Sequence, residues 1–283
     1  MEPPLNPPVN LLTTPICADL LDEYRELDAL CAGLDPAQWR LRSAFHGWSA
    51  WDEVAHLCYF DEAALLALAD APAFQAEARV LGDLMAAGGQ ISAVARTHFG
   101  AVDGAALLAR WRKRYEALVQ GLDALDPKAR LPWYGPTMSA RSFATARLME
   151  TWAHGQDVWD VLRRPRPGSA RLRHIAHLGV TTFGWTFANR GLAPPGPLPR
   201  VELQAPDGST WAWGDTTADA AVLGAAQDFC LVVTHRRHVQ DTGLELRGDV
   251  ARQWMALAQC FAGPPADGPA PGERRVDFGG APA

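Results

Sequence analysis

No run of 18 or more apolar residues occurs in the 283-residue sequence, so no transmembrane helix is expected. The amino-terminal stretch from Met1 to Pro8 lacks both a basic and an apolar region, which argues against a secretory signal and for a cytoplasmic protein. The five cysteines, Cys17, Cys31, Cys58, Cys230 and Cys260, are widely spaced and never form a Cys-x-x-Cys pair. They read as buried thiols rather than disulfides or a thiolate zinc cluster, so any metal here has to use histidine and carboxylate. Lysine is nearly missing, occurring only as Lys113 and Lys128, while Ala, Arg, Gly and Pro abound, the composition expected of GC-rich bacterial coding. A formal charge of −6 and a pI near 5.7 give no bulk electrostatic drive toward nucleic acid. The one basic run, Arg163-Arg164-Pro165-Arg166, reads as a solvated linker. No Gly-x-Gly-x-x-Gly, Walker or Gly-x-Ser-x-Gly element is present, so nucleotide binding and serine hydrolysis have no support.

What is abundant is apolar surface: 48% of residues are hydrophobic and eleven are tryptophan, enough for the cores of two units in a chain of this length. Ile16, Leu20, Leu21, Tyr24, Leu27, Leu30 and Cys31 keep helical spacing, opened by Thr14-Pro15 and closed by Gly33. A second helix follows Trp48, with Ser49 as N-cap and Asp52 completing a capping box. Further helices are expected over about 75–98, 104–125 and 139–162, with Gly88-Gly89 a kink, a break or a mobile point in the first of these. Five helices with short links and no strand signal predict an antiparallel bundle over residues 10–163. After the helix-stopping stretch 163–168, residues 170–190 again read as helical. Val201–Gln204 and Thr210–Trp213 alternate about Asp207-Gly208 as a hairpin. A helix over 217–236, a short strand at Leu244–Arg247 and a helix over 249–261 complete a small α+β unit, residues 169–262. The Pro/Gly-rich tail, 263–283, is expected to be irregular. The fold class is therefore mainly α, a bundle followed by a small α+β domain.

On the helix over 139–162, Glu150 and His154 are about 40° apart around the axis and about 6 Å along it, close enough to converge on one ion. Asp157 and Arg147 share their arc. Taken alone the pair fits an ordinary i,i+4 contact, or a core histidine satisfied by its neighbour. A buried carboxylate needs compensation, however, by a metal or by an arginine such as Arg147. His56, in an apolar stretch of the second helix with Asp52 one turn back to orient it, is the candidate third ligand. Two histidines and one carboxylate on facing helices would leave coordination positions open.

The segment Gly47-Trp48-Ser49-Ala50-Trp51-Asp52-Glu53-Val54-Ala55-His56-Leu57, followed by Met149-Glu150-Thr151-Trp152-Ala153-His154-Gly155-Gln156-Asp157, resembles the paired signature of the mycothiol-dependent maleylpyruvate isomerase group within the DinB-like superfamily. The resemblance covers the whole bundle and extends more loosely to the C-terminal unit, similar to the sterol-carrier-like domain of that group. It implies a bundle that binds a divalent metal, usually zinc, through His56, Glu150 and His154. It also implies a low-molecular-weight thiol such as mycothiol or bacillithiol, activated as thiolate for isomerisation or S-transfer on a small-molecule substrate. An arginine of the C-terminal domain assists the substrate in that group, and Arg236 or Arg237 in Thr234-His235-Arg236-Arg237-His238 would take that place. Cations near a helix C-terminus also favour the dipole with no further role.

Two rival functions use the same residues. A metal carrying hydroxide would make the protein a hydrolase, favoured if Asp52 or Asp157 stands by as general base. A metal that only braces the bundle would fit a binding protein with an apolar cavity in residues 170–262. His174 with His177 read as structural, His46 and His98 as solvated or capping residues near helix ends, and His235 with His238 as a weaker metal candidate with no carboxylate or third ligand beside them. Trp48 and Trp51 are positioned to line a pocket.

Overall fold

The computed structural model describes residues 12–278; the lead before Leu12, which includes the expected bundle start at residue 10, and the last five tail residues lie outside these. Helix α1 (Pro15–Ala32) begins with Pro at its first position, where the missing N–H costs nothing. In α2 (Ala50–Ala69) the Ser49/Asp52 capping box is formed in both directions, which fixes where the helix starts and so which side chains face inward. The helix expected over 75–98 is divided: α3 (Ala71–Ala86) and α4 (Ile91–Phe99) flank Gly88-Gly89, and Gly88 has φ +86°, which ends the helix where glycine is tolerated. Helix α5 (Gly104–Asp123) is capped by Asp103. A two-residue ladder pairs β1 (Arg130–Leu131) with β2 (Met138–Ser139), too short for any alternation to announce it.

Helix α6 (Ala140–Val161) lies against both α1 and α2 and is buried on most of its circumference, Arg147, His154, Gln156 and Asp157 included, as a central helix is. It ends in a Schellman motif: Arg163 takes φ +52°, its N–H donates to Asp160 O, and Arg164 N–H donates to Trp159 O. Pro165 then blocks further helix.

Helices α7 (Leu172–Thr181) and α8 (Phe183–Ala188) lead into a four-stranded sheet of order β4-β3-β5-β6. The expected hairpin is β3 (Arg200–Gln204) with β4 (Thr210–Trp213). The helix expected over 217–236 begins later: Ala221–Ala225 is strand β5, parallel to β3, and only Ala226–Val233 is helix α9. An apolar run this short reads equally as buried strand or helix; here Gly224, at φ +144°, lets the strand pass close against Leu244. β6 (Glu245–Arg247) pairs antiparallel with β5, and α10 (Gly248–Leu257) follows. The described tail is irregular, yet its backbone is tied down at Ala266 and Gly272 by Gln259 and Asp241. One hydrophobic core runs from Ile16 to Cys260, so bundle and sheet unit pack as a continuous body.

Candidate metal centre

Helices α2 and α6 bring three sequence-distant side chains together. His56, Glu150 and His154 offer ligand atoms that all lie within 4.8 Å of one another, and the two imidazole centroids are 4.2 Å apart. Glu150 Oε2 stands 3.9 Å from His56 Nε2 and 3.4 Å from His154 Nε2, long for hydrogen bonds. The Glu150 side chain is 27% exposed against 12% for His56 and 5% for His154, so the cluster is closed behind and open at Glu150.

Charge is distributed as a cation site needs. Burial holds both imidazoles below the ordinary histidine range, His154 well below it, so both present neutral nitrogen. Burial alone would raise the Glu150 carboxyl, but the two imidazoles beside it outweigh this and hold it well below the usual range. Two lone pairs and one negative charge therefore converge.

His154 is oriented from behind. Its Nδ1 is 2.8 Å from Glu53 Oε2, and Glu53 also accepts from Ser43 Oγ at 3.2 Å. With the shared proton on Nδ1, Nε2 is free to bind a cation. Burial and the neighbouring Asp157 push the fully buried Glu53 carboxyl up. Sequence pattern passes over Glu53, although an acid at a core position of α2, three residues before His56, is its signal. The loop Ser43–Ser49 supplies an aromatic wall: Trp48 stacks on His154, centroids 5.8 Å apart and 14° between planes, and Phe45 meets it edge-on at 5.5 Å. Consecutive positive φ values at His46 (+50°) and Gly47 (+66°) turn this loop back over the site.

The other expected residues are dispersed. Asp52 does not orient His56: it accepts from Arg96 at 2.7 and 2.9 Å, and His56 Nδ1 is buried without a partner. Arg147 is paired with Asp61 in the core at 2.9 Å. Trp51 donates to Val102 O, away from the site. Arg236 Nη2 lies 3.4 Å from His154 Nδ1 and 2.8 Å from Asp157 Oδ2. Burial pushes the Asp157 carboxyl up to about 6 despite that guanidinium. Arg237, also buried, makes a two-pronged pair with Asp160 instead, at 2.7 and 2.8 Å.

The sequence matches the mycothiol maleylpyruvate isomerase N-terminal domain over residues 20–159, a range containing all three clustered side chains. Uncharacterized proteins from two strains of Mycobacterium tuberculosis are 43% identical over 258 residues, 90% of this chain and 98% of theirs. Crystal structures of the mycothiol-dependent maleylpyruvate isomerase, one of a mutant, superpose with a TM-score of 0.49 at 13% and 15% identity, over 77% of this chain and 86% of theirs. By domain match and by full-length relatives, the chain belongs to the mycothiol maleylpyruvate isomerase N-terminal domain family.

Proposed function

We propose that this protein is a metal-dependent enzyme that uses a low-molecular-weight thiol, mycothiol or bacillithiol, as a transferase or isomerase of the maleylpyruvate isomerase type. The observation that carries the reading is the convergence of His56 Nε2, His154 Nε2 and the Glu150 carboxylate, two neutral bases and one anion that approach without bonding one another. That donor set fits zinc, with three protein ligands and an open side at Glu150. Zinc held there would lower the pKa of an incoming thiol and present it as thiolate at neutral pH. Glu53 fixes the His154 ring, Trp48 and Phe45 keep water from its inner face, and Arg236 places a positive charge beside it. In this reading the bundle, to residue 163, holds the metal. The α+β unit, residues 169–262, contributes the cation.

Hydrolysis by the same ligands is the weaker reading. Asp52 is occupied by Arg96, and Asp157 by Arg236, so the two aspartates that could serve as general base are both engaged. The binding-protein reading is also weaker, because Val201, Leu203, Val222, Phe229 and Trp254 fill the space between the sheet and its helices.

Metal analysis of the purified wild type beside His56→Ala, Glu150→Ala and His154→Ala tests the site. About one zinc per chain in wild type, lost in each variant, is the expected result; retention by all three overturns the site. Mycothiol and bacillithiol are then titrated against the zinc-loaded protein, and binding of neither overturns the thiol reading.

A further inference from the structure

The tail after α10 faces solvent for most of its length: of residues 263–278 only Pro269 and Arg274 are buried. Its base is tied to the α+β unit. Asn189 Nδ2 donates to Gly263 O at 3.2 Å, Arg190 donates to Ala266 O, and Asp241 accepts from Gly272 N at 2.8 Å. Arg274 then reaches back to the bundle. Its Nη1 donates to His235 O at 2.6 Å, just past the last turn of α9, where free carbonyls and the helix dipole favour a cation. His235 itself holds φ +60°, a left-handed turn that a non-glycine residue adopts only where its surroundings impose it. The buried Asp157 and Glu53 carboxylates draw the guanidinium inward. On its other side lies Phe45: the guanidinium carbon of Arg274 is 4.8 Å from that ring centre and that of Arg236 is 4.3 Å from it. Phe45 meets Trp48 edge-on at 5.2 Å and His154 at 5.5 Å. The loop that carries it is closed by Ser43 N–H to Trp48 O at 2.7 Å, Trp48 N–H to Phe45 O at 2.9 Å and Arg42 to Gly47 O at 2.7 Å. These bonds shape the turn, but they do not hold the Phe45 tip on the site.

We propose that the tail is a strap: Arg274 is a positioning residue that fastens the Ser43–Ser49 loop, through Phe45, onto the inner face of His154. The fastening consists of one charged hydrogen bond and one cation–π contact. Arg274 Nε is buried without an acceptor, so the strap is held incompletely. With so little apolar surface of its own, it opens at a lower cost than the fold. While it is fastened, Phe45 and Trp48 cover His154; when it lets go, the loop swings out and water reaches that ring from behind. The strap therefore sets how long a metal stays in the site. This last consequence rests on the reading that His56, Glu150 and His154 hold a metal, whereas the fastening of the loop does not.

Amide hydrogen exchange of the metal-free, full-length protein, read by mass spectrometry on peptides spanning residues 43–49, tests the strap without any metal. Arg274→Ala is expected to speed exchange there at least about tenfold, the usual effect of losing a charged hydrogen bond, with peptides of α5 unchanged. Arg274→Lys, which keeps the cation over the ring, falls between. Phe45→Leu cuts the same contact from the loop side and is expected to speed the same peptides, and the double variant should exchange no faster than the faster single one, because the two residues act through one contact. Faster exchange confined to the tail, with residues 43–49 unchanged in Arg274→Ala, overturns the strap, as do fully additive effects in the double variant. Removal of zinc by an excess of chelator is then timed on the loaded proteins. Faster release from Arg274→Ala and Phe45→Leu than from wild type is the expected result, and equal rates overturn the control of metal residence. Faster exchange at residues 43–49 in a protein that binds no zinc supports the strap while the metal reading fails. Bound zinc with unchanged exchange there does the reverse.

Discussion

His154 has both ring nitrogens engaged in different tasks: Nε2 faces Glu150 and His56, while Nδ1 meets Glu53 at 2.8 Å. A buried carboxylate behind a metal-ligating imidazole fixes the ring's tautomer and rotation, and losing such a partner usually weakens metal affinity about 10- to 100-fold. Glu53→Ala is therefore expected to weaken zinc by about that factor in competition with a chromophoric chelator, with Glu53→Gln, which keeps an acceptor, between it and wild type. Unchanged affinity in Glu53→Ala would make the contact merely a packing one. The three clustered residues were legible in the sequence because each sits in a short segment of helical spacing whose pattern the family shares. Glu53 was harder to see because its meaning depends on a ring 101 positions away. The burial of Arg274, whose Nη1 donates to the His235 carbonyl, was invisible, since an irregular tail offers no periodicity from which to infer it.

At the scale of elements, the site depends on how α2 and α6 are held in register. Asp61 of α2, fully buried, accepts from Arg147 of α6 at 2.9 Å, Tyr24 of α1 at 2.7 Å and Trp111 of α5 at 2.8 Å. One carboxylate thus ties four helices one and a half turns beyond His56. Removing one member of a buried ion pair strands the other, at a cost of about 3–5 kcal/mol. Asp61→Ala is expected to destabilise by about that amount in urea unfolding, and zinc affinity should fall with it, because the two helices that carry the proposed ligands lose their common anchor. A stable variant that binds zinc normally would show that packing alone sets the register. The long helices were legible from spacing and caps, Ser49/Asp52 above all. The division at Gly88-Gly89 was legible only as one of several outcomes. β5 was misread because Ala221–Ala225 is a short apolar run without alternation, set between β3 and β6 in the sheet, so neither period marks it.

At the scale of the whole molecule, bundle and sheet unit share buried charge as well as apolar core. Glu23 of α1 is fully buried on the core face of the bundle, yet its cations come from beyond the last bundle helix. Arg166 pairs with it directly, and Arg171 Nε reaches it at 2.7 Å. Arg166 Nη1 also donates to Trp152 O of α6 at 2.7 Å. Arg163, Arg164 and Pro165 are exposed, as a solvated linker would be, but Arg166 at the end of the run is a buried clamp, which sequence pattern could not reveal because Arg and Pro in succession normally mark exposed chain. A fragment ending at residue 163 would keep all three proposed metal ligands but leave Glu23 enclosed without its two guanidinium partners, a loss of about 3–5 kcal/mol. Such a fragment is expected to melt well below the intact chain by circular dichroism, or to lack a cooperative transition. Glu23→Leu is expected to recover part of that loss in the fragment, by removing the stranded charge, and to give no such gain in the intact chain, where Glu23 is paired. If the fragment melts where the intact chain does, the bundle is independent of the α+β unit, and the arginines reaching back into it contribute to the site without contributing to the fold.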